Sequence, residues 1–318
     1  MKKESKIIIG IHGLGNKPPK EILEKWWKQA IIDGLKYNRF PETNFDFELV
    51  YWADILHPNP IDISEENKID QPFSEIYSSS HYSNKKVNLK YTAKVKDYLE
   101  KYYSNFIVNE VLSLKYPSLT ELFIYLHLKD LKTYFSFSTV PYDGKEMQVK
   151  EAIINRFLKC LTKHQSKKIL LIAHSMGSII VQDALTEYTS ETDIDTYVTI
   201  GSPLGQKYVL SKYKPAIEQN LKNKLVVPEN ILKKWYNLSD LDDQVALYHE
   251  LSNLYKINSR MVKIEDQIVN NYFTSLGVRN PHKSYGYLRI QEFSQITNKF
   301  LIHKPTTILE WIRKIFEK

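Results

Sequence analysis

One stretch in the middle of the chain, Lys168-Ile169-Leu170-Leu171-Ile172-Ala173-His174-Ser175-Met176-Gly177-Ser178, constrains the fold more than any other. An apolar, strand-like run ends in a serine, and a helix-like run from Ile179 to Tyr188 follows at once. This is the layout of a nucleophile elbow, a sharp strand-to-helix turn with serine at its tip. The turn is strained and crowded, so the residues two before and two after the serine must be small. Here they are Ala173 and Gly177, with alanine standing where a first glycine is usual. A helix that starts directly behind Ser175 also brings N–H groups without helical partners toward the serine oxygen.

The stretches around it alternate between strand-like and helix-like patterns. Lys6 to Ile11 reads as a strand buried on both faces. The turn His12-Gly13-Leu14-Gly15-Asn16 follows, and then a helix whose apolar face carries Ile22, Leu23, Trp26, Trp27, Ala30, Ile31 and Leu35. Phe45 to Trp52 is a second strand. A helix is expected over Lys145–His164, and strands over Asp195–Ile200, Lys233–Leu238 and Val262–Val269, with a helix over Tyr287–Leu301 and another over 308–316. Short apolar strands alternating with helices predict an α/β fold with a mostly parallel, doubly wound sheet flanked by helices. Between about 55 and 131 the rhythm breaks. This part, with helices expected over 89–114 and 119–126, reads as a helical, aromatic-rich, lid-like insertion in a single domain spanning 1–318.

Charge and composition narrow the partners. The formal charge is +7, but the lysines are scattered and there is no arginine-rich block, so nucleic acid is not an expected partner. Weak peripheral attraction to an anionic membrane stays open. The single cysteine, Cys160, excludes an intrachain disulfide and a thiolate metal cluster. Nine histidines are present, but no HExxH or paired ligand spacing, so neither a metal nor a cofactor is expected. No signal-peptide core and no apolar run of about 18 residues is found, which makes the cytoplasm the expected location. Oligomeric state is left open.

A serine hydroxyl is a poor nucleophile near neutral pH. It needs a base to take its proton, and the base needs a carboxylate to fix its tautomer. In a doubly wound sheet, reactive groups gather at the carboxyl ends of strands. The strand ending near Leu238 is followed by Asp240, Asp242 and Asp243, and the strand ending near Val269 by His282. These residues come after Ser175 in the order serine, acid, histidine.

With these residues in view, the chain resembles the α/β-hydrolase fold serine hydrolases of the lipase/esterase branch. His12-Gly13-Leu14-Gly15 resembles their oxyanion loop, and Ala173-His174-Ser175-Met176-Gly177-Ser178 their elbow. Asp243-x-Val245 and His282 resemble their acid and base loops, and Thr199-Ile200-Gly201-Ser202-Pro203-Leu204 a strand exit of related proteins. The resemblance implies Ser175 as nucleophile, His282 as general base, and Asp243 as the acid, with Asp240 the alternative and Asp242 third. It implies an oxyanion hole from the backbone N–H groups of Leu14 and Met176, and a structural part for His12 and His174. The implied activity is hydrolysis of a small-molecule or lipid ester (a carboxylester, or a lipid or phospholipid acyl ester) through an acyl-enzyme on Ser175. An acyltransferase or thioesterase would need the same residues. A non-catalytic ligand-binding module on the same scaffold is the remaining alternative.

Overall fold

A computed structural model describes residues 5–41, 44–63, 76–79, 129–188, 191–213, 224–275 and 278–302. Most of the expected insertion, its two helices and the segment 308–316 lie outside the described residues.

The elements follow in chain order. Strand β1 (Lys6–Ile11) leads to helix α1 (Lys20–Tyr37), strand β2 (Asp46–Val50) and the short helix α2 (Ala53–Leu56). After the expected insertion come strands β3 (Thr139–Tyr142) and β4 (Lys145–Gln148), then helix α3 (Val149–Lys163). Strand β5 (Lys168–His174) runs into helix α4 (Met176–Glu187), followed by strand β6 (Ile194–Ile200) and helix α5 (Lys207–Lys212). The chain then gives β7 (Leu225–Val226), β8 (Ile231–Asp240), β9 (Tyr255–Lys256) and β10 (Ile264–Val269). Helices α6 (Ser284–Tyr287) and α7 (Gln291–Ile302) end the described part.

Six strands form one sheet in the order β10-β8-β6-β5-β1-β2. All five pairings in it are parallel. Side chains alternate across it with a period of two. Ile7, Ile9 and Ile11 of β1 and Ile169, Leu171 and Ala173 of β5 pack with Phe157 and Leu161 of α3 and Ile180 and Ala184 of α4. Ile8, Leu170 and Ile172 face the other way, toward Trp27 and Ile31 of α1 and Phe293 and Phe300 of α7. Burial on both faces is why these strands read as unbroken apolar runs. The sheet and its helices have the α/β-hydrolase architecture expected from the sequence.

The structure corrects two boundaries. The helix expected from Lys145 begins only at Val149. The four residues before it are β4, which pairs antiparallel with β3 across Asp143-Gly144. Both turn residues have positive φ, at 50° and 75°. An Asp-Gly pair suits such a two-residue hairpin, and that local signal outweighs the apolar spacing that continues into α3. The helix expected over Tyr287–Leu301 begins only at Gln291, as α7; Tyr287 closes a separate short helix, α6, and a turn at 288–290 divides the two. Tyr285, Tyr287, Leu288 and Ile290 are all buried, which a single amphipathic stripe would not allow.

β1 lies between β2 on one side and β5 on the other, so the chain reverses its winding there. The crevice at the carboxyl ends of β1 and β5 is the topological switch point, where open α/β sheets bind ligands.

The end of α1 is tied to α7 by one side chain. Asn38 Nδ2 donates to the carbonyls of Gly34 and Arg289 and to Ser294 Oγ, at 2.7, 3.0 and 3.0 Å. Asn38→Ala is expected to lower stability to denaturant by about 1–2 kcal/mol, by removing the donor from part-buried carbonyls. The near-isosteric Asn38→Asp is expected to lower it further. It turns a donor into a charge facing carbonyl oxygens at a helix C-terminus. Equal unfolding midpoints for the two variants would contradict this account.

Candidate active site

Ser175 stands between β5 and α4 with φ 52° and ψ −127°, a conformation that L residues rarely adopt. Backbone bonds hold it there. Its N–H donates to the Ile200 carbonyl at 3.1 Å, and its own carbonyl accepts from Ser178 N at 2.9 Å and Ser178 Oγ at 2.7 Å. Gly177 lies against the end of β1, where an added Cβ would stand 2.7 Å from the Ile11 carbonyl oxygen. The crowding expected of an elbow is therefore present, and Ala173 fits within it fully buried.

The turn brings three distant side chains together. Ser175 Oγ lies 3.0 Å from His282 Nε2. His282 Nδ1 lies 3.0 Å from both carboxylate oxygens of Asp243. With Nδ1 donating to the carboxylate, Nε2 is left to accept the serine proton. All three are buried: Ser175 and Asp243 at 0% exposure and His282 at 4%. The Asp243 carboxylate also accepts from the N–H of Val245 at 2.9 Å and from Tyr287 OH at 2.8 Å. Burial, and the carboxylate beside it, hold the Tyr287 hydroxyl far above its usual range, so it stays a donor.

The other two aspartates of that loop are engaged elsewhere. Asp240, the last residue of β8, pairs with Arg279 and accepts from Asn271 N at 2.6 Å and Asp242 N at 2.9 Å. Burial pushes its carboxyl up, opposed by those bonds. Asp242 is exposed and pairs with the same Arg279. Of the three candidates, only Asp243 reaches His282.

The loop after β1 covers Ser175. An added Cβ on Gly13 would fall 2.7 Å from Ser175 Cβ. His12 donates from Nδ1 to the Gly13 carbonyl at 2.8 Å and accepts from Trp52 N on Nε2 at 3.0 Å. These partners give it the neutral tautomer protonated on Nδ1. Trp52 Nε1 bonds the His12 carbonyl at 2.9 Å, and the two rings stack with centroids 4.8 Å apart. His174 donates from Nε2 to the His282 carbonyl at 2.7 Å, steadying the histidine loop. Met176 is the first residue of α4, so its N–H has no partner within the helix.

Tyr287 and Trp52 have no local signature in the sequence, and the part played by Gly201 does not show in the strand-exit motif that contains it. Tyr287 meets a carboxylate from far earlier in the chain. Trp52 looks like an ordinary strand-end aromatic. Gly201 has φ +55°, and an added Cβ there would stand 2.9 Å from Asp243 Oδ2 and 3.1 Å from His282 Nδ1. Only glycine combines that backbone with that clearance.

Beside Ser175 opens a cavity of about 170 Å³ with a largely apolar wall of Leu14, Met176, Ile179, Pro203, Val209 and Val245. One group of possible metal ligands converges elsewhere among the described residues: Glu48, Cys160 and His164, with ligand atoms within 4.8 Å of one another. There the carboxylate is bonded to Lys163 and His164, and burial pushes the Cys160 thiol up to about 12.

A family model described as a PGAP1-like alpha/beta domain matches residues 129–294, just over half of the 318 residues. The chain belongs to the PGAP1-like alpha/beta family. This is an α/β-hydrolase-type family, in agreement with the sheet and the resemblance read from the motifs. The matched segment includes Ser175, Asp243 and His282. No curated protein matches the chain. A 2.75 Å crystal structure of an uncharacterized protein from Bacillus cereus ATCC 10987 is similar at 12% identity and a TM-score of 0.36. The match covers 95% of this chain and 61% of that one, so this chain spans less than two thirds of its length. Among the described residues, no helix is long and apolar enough to cross a membrane.

The hydrogen-bonded order at His282 has a direct spectroscopic signature. A slowly exchanging, downfield imidazole N–H resonance is expected for His282 in the wild type. It is expected to vanish in Asp243→Ala and to move in Tyr287→Phe. An unchanged resonance in Asp243→Ala would assign the Nδ1 proton to another acceptor.

Proposed function

We propose that the chain is a serine hydrolase that cleaves a carboxylic ester through an acyl-enzyme on Ser175. One observation carries this reading. Ser175 Oγ, the His282 imidazole and the Asp243 carboxylate are joined in series by bonds of 3.0 Å, on a strained elbow at the switch point of the sheet. A buried serine that merely completed a turn would need neither the histidine nor its carboxylate.

The chemistry follows from the roles. As Ser175 Oγ attacks the substrate carbonyl carbon, its proton passes to His282 Nε2. Asp243 holds the ring by Nδ1 and stabilises the imidazolium that forms. The bond to the alcohol oxygen then breaks, and Nε2 returns the proton to that oxygen. Water repeats the sequence on the acyl-serine and releases the acid. The carbonyl oxygen, which becomes negative in each tetrahedral intermediate, is bound by the N–H groups of Leu14 and Met176. Each such donor is worth about 3 kcal/mol in the transition state. The apolar cavity beside the serine suits an uncharged acyl or aryl group.

An active-site phosphonate is expected to label the native protein once, on Ser175, and to leave Ser175→Ala unlabelled. On a panel of esters, Ser175→Ala and His282→Ala are each expected to lose on the order of 10³-fold or more in kcat. Esters with apolar acyl groups are expected to be preferred over charged ones. Failure of the wild type to label, or full activity of Ser175→Ala, would overturn the assignment.

A further inference from the structure

The loop over Ser175 is fixed from outside the three-residue relay, by a carboxylate at the far end of the insertion. Asp130 lies in the helical residues 129–134 and is 8% exposed. Its Oδ2 accepts two bonds, one from the Gly15 N–H at 3.1 Å and one from His57 Nε2 at 2.9 Å. His57 caps the end of α2, at the near root of the insertion. A single carboxylate oxygen therefore ties the two roots of the insertion to each other and to the loop after β1.

The consequence runs through peptide geometry. A trans peptide is planar, and its C=O and N–H point in opposite directions. In the Leu14–Gly15 peptide both ends are held. The Leu14 carbonyl accepts from Lys17 Nζ at 2.6 Å, and the Gly15 N–H donates to Asp130. In the Gly13–Leu14 peptide, the carbonyl accepts from His12 Nδ1, which turns the Leu14 N–H to the opposite side. Leu14 thus sits between two pinned peptide planes. Its N–H lies in the plane held by His12, and the plane held by Asp130 anchors the loop on the other side, so release of the Gly15 N–H lets the loop shift and carry that N–H out of line. Gly15 is the weak point, since its φ of +85° is in a region where glycine moves freely.

We infer that Asp130 is a positioning residue that aims the Leu14 N–H at the substrate oxyanion, by clasping the Gly15 amide against His57. This rests on the proposed hydrolase reading, in which that N–H stabilises the tetrahedral intermediate. Asp130 touches no reacting atom. It acts through the backbone, so it affects the transition state more than ground-state binding.

The test compares wild type, Asp130→Ala and Asp130→Asn on an ester that the wild type turns over, with amide hydrogen exchange of the loop read in parallel. Both bonds fall on one oxygen, so the asparagine carbonyl can accept both. Asp130→Ala is expected to lose on the order of 10–100-fold in kcat with KM little changed, as misaligned groups do. Its Gly15 amide exchange is expected to accelerate. Asp130→Asn is expected to restore most of the rate and protection. If Asp130→Ala does not fold, Asp130→Ser, whose hydroxyl is one bond shorter, takes its place. An active wild type beside an equally active Asp130→Ala, or a loss confined to KM, overturns this proposal alone. A wild type that neither turns over esters nor labels on Ser175 overturns the hydrolase reading, and this proposal with it.

Discussion

The backbone of Ser175 is the constraint around which the rest of the molecule is arranged. A non-glycine residue at φ 52° and ψ −127° costs about 1–3 kcal/mol and persists only where its surroundings over-determine it. Here they do so from three sides. The strand exit of β6 takes its N–H, the first turn of α4 takes its carbonyl, and the close approach of Gly177 to β1 fixes the angle at which the helix leaves. Each of these partners belongs to an element buried on both sides. The strain is therefore held by the core of the sheet and not by loops. It holds the hydroxyl where His282 meets it.

A second constraint is dielectric. Ser175, His282 and Asp243 are all buried, and an ionised carboxylate at 0% exposure is stable only with its oxygens satisfied. Asp243 meets this with the Val245 N–H, the Tyr287 hydroxyl and the His282 ring. Tyr287 has a second duty, since its oxygen accepts from the Asp240 N–H at 3.0 Å. One phenol thus links the end of β8 to the aspartate three residues later, and sets how the chain turns between them. Low solvent access strengthens every charge interaction in this relay. That makes the direction of each donor more important than the number of donors.

The sheet was legible in the sequence because its central strands are covered on both faces. Lys6–Ile11 and Lys168–His174 could be little else, and the order of serine, acid and histidine followed from strand ends. The acid was legible only through the resemblance of Asp243-x-Val245 to a family loop, and not from the local pattern. Asp240, Asp242 and Asp243 lie within four positions of one another, and what separates them is direction at the end of β8. Asp240 ends the strand and turns toward Arg279, while Asp243 follows a turn closed by its own N–H on the Asp240 carbonyl. Tyr287 and Asp130 left no trace in local pattern, because each meets its partner across a long loop of chain. The hairpin before α3 did leave one, the Asp143-Gly144 pair. There the apolar spacing of the helix ran on past its true start and hid the turn.

Strand register explains how the loop after β1 reaches the serine. β1 and β5 pair in parallel with Ile11 opposite Ala173. The residues that follow therefore leave the sheet side by side, His12 next to His174 and Gly13 next to Ser175. A slip of one residue would bring Leu14 over the serine in place of Gly13, and would turn every core side chain of β1 to the wrong face. The apolar alternation of β1 between the two cores thus fixes more than stability. It determines that a residue without a side chain lies over the hydroxyl, and that the next residue along, Leu14, lines the cavity. The loop needs no fitting of its own to find the serine, because the register of two buried strands has already aligned it.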